Sequence, residues 1–365
     1  MINHSLLTYH PLYYITLGLI AGIVAASLGN LLALSCIFTL CLAGICIAKT
    51  KRHNSLSFAL ILACLGVGIA TVRCFILDRS YQAHKQAISS LHGDLLVTIT
   101  NIYHTPDKQW PVSIRASLQQ GFDERKQAIP LKGDITIYCL EESHMLPGDT
   151  LLLKRPAIIP CSEKKTLFFK KEGIVGSLFS KRPWTILVHR PSFSLTRWSY
   201  QLLKKIRCTM TGRCNQRTLE LFNTFFLGAP SSASSIKTAK KQYQLWGIAH
   251  YMARSGLHLM IIIWLLIQLC TMIPIHQRYK NGLFLIVIVL YSITSWASTS
   301  FLRAFWTFVV SQVSQLLMID IHSVEIITLV TTVFLMYNPL MIFFADFQLS
   351  FLLTYGLIIH QKQTA

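Results

Sequence analysis

Eight apolar runs, gathered into two clusters, decide what this chain can become. Residues 12–28, 31–48 and 56–77 form the first cluster; 257–273, 283–297, 301–319, 324–337 and 341–360 form the second. Several of these reach the roughly 17 to 25 residues that carry a helix across a bilayer. A soluble chain has about a quarter of its residues charged, whereas here 13% are charged and 52% apolar, with a mean hydropathy of +0.47. The expectation is a polytopic α-helical membrane protein. The first run has no basic segment ahead of it, and a second apolar run follows directly after Gly29 and Asn30. The pair therefore reads as a hairpin retained in the membrane, not as a cleaved leader. Lys49, Lys51, Arg52, Arg278, Lys280 and Lys362 lie in short segments between or after spans. By the positive-inside tendency these segments face the cytoplasm, which places the amino terminus inside and residues 78–246 outside.

Between the clusters the chain is a different material. Residues 78–245 hold 25 of the 34 Lys and Arg and 12 of the 15 Asp and Glu. LLVTIT, VSIRASL, DITIYCL and TLLLKRPAII alternate apolar and polar positions, and HGD, LKGD and LPGD separate them. Alternation of period two broken by such turns predicts short strands. The fold class expected is thus a polytopic α-helical membrane protein with an inserted small antiparallel β (OB-like) extracytoplasmic domain, a sandwich being the equal alternative. The boundaries that follow are 1–77 for the first spans, 78–197 for the β domain, 198–246 for a basic helix and loop, and 247–365 for the second set of spans.

From residue 164 to residue 217 there are 13 Lys and Arg against one acidic residue, Glu172. Within 198–230, Lys204, Lys205, Arg207, Arg213 and Arg217 interleave with apolar residues at helical spacing. That pattern predicts a basic amphipathic helix at the membrane surface. Its partners are anionic lipid headgroups, a polyanion such as DNA, or both. The ten cysteines show no CxxC and no zinc spacing, so no metal or cofactor is expected. Cys139 and Cys161 both fall in the external domain, where a disulfide between them and two free thiols are the alternatives.

GIAHYMARSGLH, residues 247–258, leads into the apolar LMIIIWLLIQLCTMI. On one continuous helix His250, Arg254 and His258 stand at i, i+4 and i+8 and form a polar stripe. Gly256 and Ser255 are small enough for close helix approach or for a break. Ionisable groups at this depth are retained mainly where they meet a cavity, a partner or a transported species. Interfacial histidines beside helix-packing glycines are the plainer alternative. No carboxylate, Walker lysine or GxSxG elbow accompanies the stripe, so no enzymatic activity is expected.

The motif resembles the signature of the competence-protein family ComEC, in Gly247, His250, Ala253, Ser255, Gly256, Leu257 and His258. FLRAFWTFVV, with Arg303 and Ala304, resembles that family's Leu-Arg-Ala span. YNPLMIFFADFQLSF resembles its NP…GFQLSF span through Asn338, Pro339, Phe347, Gln348, Leu349, Ser350 and Phe351. Arg254, Thr299 and Asp346 depart from the pattern. The chain also shows no HxHxDH-type cluster, and is expected to be a short form lacking the carboxy-terminal metallo-β-lactamase-like domain.

The resemblance implies translocation of single-stranded DNA across the cytoplasmic (inner) membrane during natural competence, with the external domain gathering the strand. It implies a channel path past His250, Arg254, Ser255, Gly256, His258, Arg303, Asp346, Gln348 and Ser350. An ion pair between Asp346 and Arg303 is one expectation for that path. Partners implied are a competence-system DNA receptor and a cytosolic helicase, and a homodimer is among the assemblies such a chain could form. A permease or exporter of another anion, or a non-transporting remnant of a DNA-uptake channel, are the alternatives.

Overall fold

The computed structural model describes residues 11–27, 54–89, 93–104, 110–122, 127–140, 145–160, 166–180, 185–191, 194–211, 213–215, 256–271, 276–294 and 298–364, with the single positions 218, 222 and 245. Two compact units account for them. The first takes 1–79, 273–285 and 302–365; the second takes 80–272 and 286–301.

The first unit is helical. Helix α1 (Pro11–Ser27) begins on proline, whose missing N–H is no loss in a first turn. It meets α2 (Asn54–Ser89), of which residues to Arg79 belong to this unit. A Cβ on Gly18 would run into the carbonyl of Ala63, and one on Gly66 into the carbonyl of Ile15. At Gly22 it would sit 2.9 Å from the Ala70 Cβ. Two helices touching through such small residues is the approach that apolar surroundings favour.

The remaining helices of this unit are α6 (Gln277–Thr294, in part), α7 (Thr299–Leu316), α8 (Ser323–Tyr337) and α9 (Ala345–Thr364). Leu19, Ile23, Ala70, Ile327, Phe334 and Phe351 are among the residues of their common core. Threonines on α8 satisfy their hydroxyls on the preceding turn, Thr331 on Ile327 O at 2.7 Å and Thr332 on Thr328 O at 2.8 Å. Thr332 also meets Thr16 of α1, oxygen to oxygen, at 2.6 Å. Arg73 of α2 donates to the Met336 and Tyr337 carbonyls at 3.1 and 3.2 Å. A cation there satisfies the orphan carbonyls of α8 and complements its dipole.

Asn338 ends α8, and its side chain accepts from Leu340 N at 3.2 Å to cap the 3-10 turn Pro339–Phe343. The apolar run expected to be one span over 341–360 is therefore broken, and its helix starts at Ala345. The Asn-Pro pair accounts for the end of α8 at Tyr337, since proline disfavours helical backbone in the residue before it. Among the described residues one helix, Leu60–Ser89, is long and apolar enough to cross a membrane; Pro11–Ser27, Leu259–Leu269, Tyr279–Ser292, Ser323–Tyr337 and Ala345–Ile358 are shorter apolar helices. The run at 31–48 lies outside the described residues.

The second unit is built on one eight-stranded sheet. Its strands are β1 (Leu95–His104), β2 (Val112–Phe122), β3 (Ala128–Pro130), β4 (Asp134–Cys139), β5 (Thr150–Leu153), β6 (Ile159–Pro160), β7 (Ile174–Ser180) and β8 (Thr185–His189). The order is β6-β7-β4-β2-β1-β5-β8, with β3 also on β2. Alternation along the strands sends Leu95, Val97, Ile99, Ile114, Ile135 and Leu151 into one core.

The expected antiparallel sheet is corrected in one respect: β4 and β7 run parallel, so the sheet is mixed. The short helix α3 (Thr166–Glu172) and Gly173, at φ +70°, supply the connection that returns the chain in that direction. Gly148, at φ +90°, makes the LPGD turn that the sequence marks. Helix α4 (Leu195–Thr211) follows the sheet, and α5 (Gly256–Thr271) belongs to the same unit, as do the last residues of α2 and the second half of α6.

Candidate nucleic-acid interface and buried charges

Helix α4 is the basic helix of the sequence, starting three residues earlier than expected. Lys204 and Lys205 are exposed on it, and Arg207 is half-buried. Arg213 is exposed in the turn that follows, where its N–H donates to Met210 O at 3.0 Å. Arg217 lies outside the described residues.

Arg197, near the helix start, has another job. It is buried, donates to the carbonyls of Pro191 (2.7 Å) and Pro147 (3.3 Å), and pairs through Nη2 with Asp149 Oδ1. Asp149 is fully buried, and also accepts from Arg190 at 3.0 Å and from Leu146 N at 3.0 Å. One carboxylate with two guanidiniums thus ties the basic helix to the LPGD turn. Hydrogen bonds from two guanidiniums and a backbone N–H replace the water that burial takes from this carboxylate.

A second centre lies on the opposite side of the sheet from the core. Arg115 Nε donates to Asp134 at 2.7 Å, and Nη1 to Glu172 at 3.0 Å. Burial alone would lower the Arg115 pKa, but the bonds and charges of Asp134 and Glu172 outweigh it and hold the guanidinium above its ordinary value. Tyr103 nearby is pushed up by burial, against the opposing pull of Arg115. Cys139 is a free thiol whose pKa burial raises; Cys161, its expected alternative partner, lies outside the described residues.

Of the motif at 247–258, His250, Arg254 and Ser255 lie outside the described residues. Gly256 opens α5 and His258 stands in its first turn. On α7, Arg303 is half-buried, with its Cζ 5.8 Å from the centre of the Phe351 ring. Its Nε is buried without a hydrogen-bond partner among the described residues, and so is Oγ1 of Thr307 one turn on.

The expected pairing of Arg303 with Asp346 is corrected: no ion pair joins them among the described residues. Asp346 is exposed in the first turn of α9, where the helix dipole favours an acid without a cation. Gln348 Nε2 donates to Ile342 O at 2.7 Å, Ser350 O accepts from Thr354 at 2.8 Å, and the Phe347 and Phe351 rings lie 4.4 Å apart in the core. Gln348 and the two phenylalanines therefore brace the 3-10 corner.

Sequence reasoning missed Asp149, Arg190 and Arg197 as one centre, and Trp110, Tyr138 and Phe179 as a ring cluster. The signal available for the rings was the strand period, which sets Tyr138 opposite in sense to Ile137.

The competence-protein family matches residues 231–365. ComE operon protein 3 of Bacillus subtilis (strain 168) is 33% identical over 117 residues, which cover 32% of this chain and 15% of that protein. No solved structure matches the chain. The helices carrying Arg303, the Asn-Pro corner and the FQLSF brace all fall within the stretch that the competence-protein family matches.

Proposed function

We propose that the chain is a multi-span protein of the cytoplasmic membrane that passes single-stranded DNA inward during natural competence, with the β domain and basic helix outside as collector. The observation that carries this reading is the competence-family match over 231–365, which includes the helix of Arg303. An arginine in an apolar bundle with no ion pair among the described residues is expensive, and is kept where an anion or a wet passage meets it. A strand of phosphates is such an anion, and a basic external surface concentrates it ahead of entry. The residues named bind and orient, with no bond made or broken; the driving force then belongs to a partner such as a cytosolic helicase.

The test is nuclease-protected uptake of labelled DNA in a transformable host deleted for its own copy and complemented with the full chain. Wild type restores uptake. Arg303→Ala lowers it by about tenfold, the loss expected for one charge-assisted contact. Failure of the wild-type chain to restore uptake sinks the reading. Full uptake by a variant lacking His250, Arg254, His258 and Arg303 together sinks the path.

A further inference from the structure

Core residues Ile114, Ile137 and Leu178 mark the inward side of β2, β4 and β7, so the strand period sends Tyr138 and Phe179 to the other side. The parallel register sets these two opposite each other, and their rings stack at 4.8 Å with 11° between planes. Trp110, just ahead of β2, meets Phe179 edge-on at 5.4 Å. The middle of this face is closed: Ser113 and Thr136 are buried, and Arg115 is held by Asp134 and Glu172. Among the described residues its rim is open: β6 pairs with β7 only at Gly176 and Ser177, and Phe179 is 41% exposed.

Charge says what such a rim would take. Phe179 falls inside residues 164–217, where eleven of the 13 Lys and Arg remain, against one acid, once Arg190 and Arg197 are set aside as held by Asp149. A polyanion carrying flat apolar faces satisfies both features; duplex DNA hides its base faces, and an acidic protein surface lacks them. We propose that Trp110, Tyr138 and Phe179 form a base-stacking platform for single-stranded nucleic acid. The proposal rests on the collecting role given above to the β domain and names the residues that perform it.

The experiment uses the full chain in phosphatidylcholine nanodiscs, titrated with labelled oligothymidylate at one fixed salt concentration. Phe179→Ala lowers affinity by about tenfold, the loss of one stacked base. Phe179→Leu, which keeps apolar bulk without a ring, falls with it, whereas Phe179→Trp stays at the wild-type value. An abasic strand of equal length binds the wild type as weakly as oligothymidylate binds the Ala variant.

The platform is overturned if Phe179→Ala binds like wild type, if the abasic strand binds equally well, or if the wild type binds neither strand. It is also overturned if the variants lose only adsorption to phosphatidylglycerol vesicles, which would make the rim a lipid contact. Loss of the transport reading looks different: oligothymidylate binding would keep its dependence on Phe179 while the chain fails to restore uptake.

Discussion

Arginine is used in opposite ways in the two units. In the sheet unit Arg115, Arg190 and Arg197 are each held by carboxylates, Asp149 among them fully buried. In the helical unit Arg303 lies over an aromatic ring and has no ion pair among the described residues. A guanidinium locked by acids is a construction element whose removal is felt in stability. One left without them adds little to folding and is available to something that arrives. Shape, not charge, carries the helical unit, where glycines let α1 and α2 meet backbone to backbone.

The largest effect should come from Asp149. Its replacement by Ala leaves two guanidiniums facing each other and should cost about 3–5 kcal/mol, read as the denaturant midpoint of the full chain. Asp149→Asn, which keeps an acceptor but loses the charge, should cost less; a cost near zero would show that charge is not what holds the turn.

Next comes Gly18→Leu, where the added side chain meets Ala63 directly. Overpacking of this kind should cost about 1–3 kcal/mol, and thermal unfolding in detergent would reveal it. A neutral result would mean that α1 and α2 do not touch there.

Arg303→Met should change stability by less than about 1 kcal/mol or raise it, since an uncompensated cation is exchanged for apolar bulk, and uptake should still fall. A marked destabilisation would put Arg303 in the same class as Arg115.

Smallest is Cys139. Burial raises its pKa, so less thiolate is present at a given pH than on the same cysteine in the unfolded chain. Alkylation of Cys139 should therefore be slower in the folded than in the unfolded chain and should rise at higher pH, as mass-spectrometric labelling would show. Equal rates would mean that the site opens.

Period and turn chemistry made much of this legible. The alternating stretches became β1, β2, β4 and β5, and the glycine of LPGD takes the positive φ a tight turn needs. β7 was not read as a strand, because IVGSLFS mixes glycine and serine into its apolar positions and its pairing is parallel to a distant strand. The long-range ion pairs were equally hidden. Arg197 reaches Asp149 across 48 positions and Arg115 reaches Glu172 across 57, so a composition count treats them as loose positive charge. The corner at Asn338 could be seen as a motif but not as a mechanism, since only the folded chain shows Gln348 returning to Ile342.

The grip of Arg73 on the end of α8, with Leu19 and Ile23 in the same core as Ile327, means that the segment matched at 231–365 borrows its scaffold from the front of the chain. Excised at residue 231, that segment would be left with bare greasy flanks and two unanswered carbonyls where the amino-terminal helices had been.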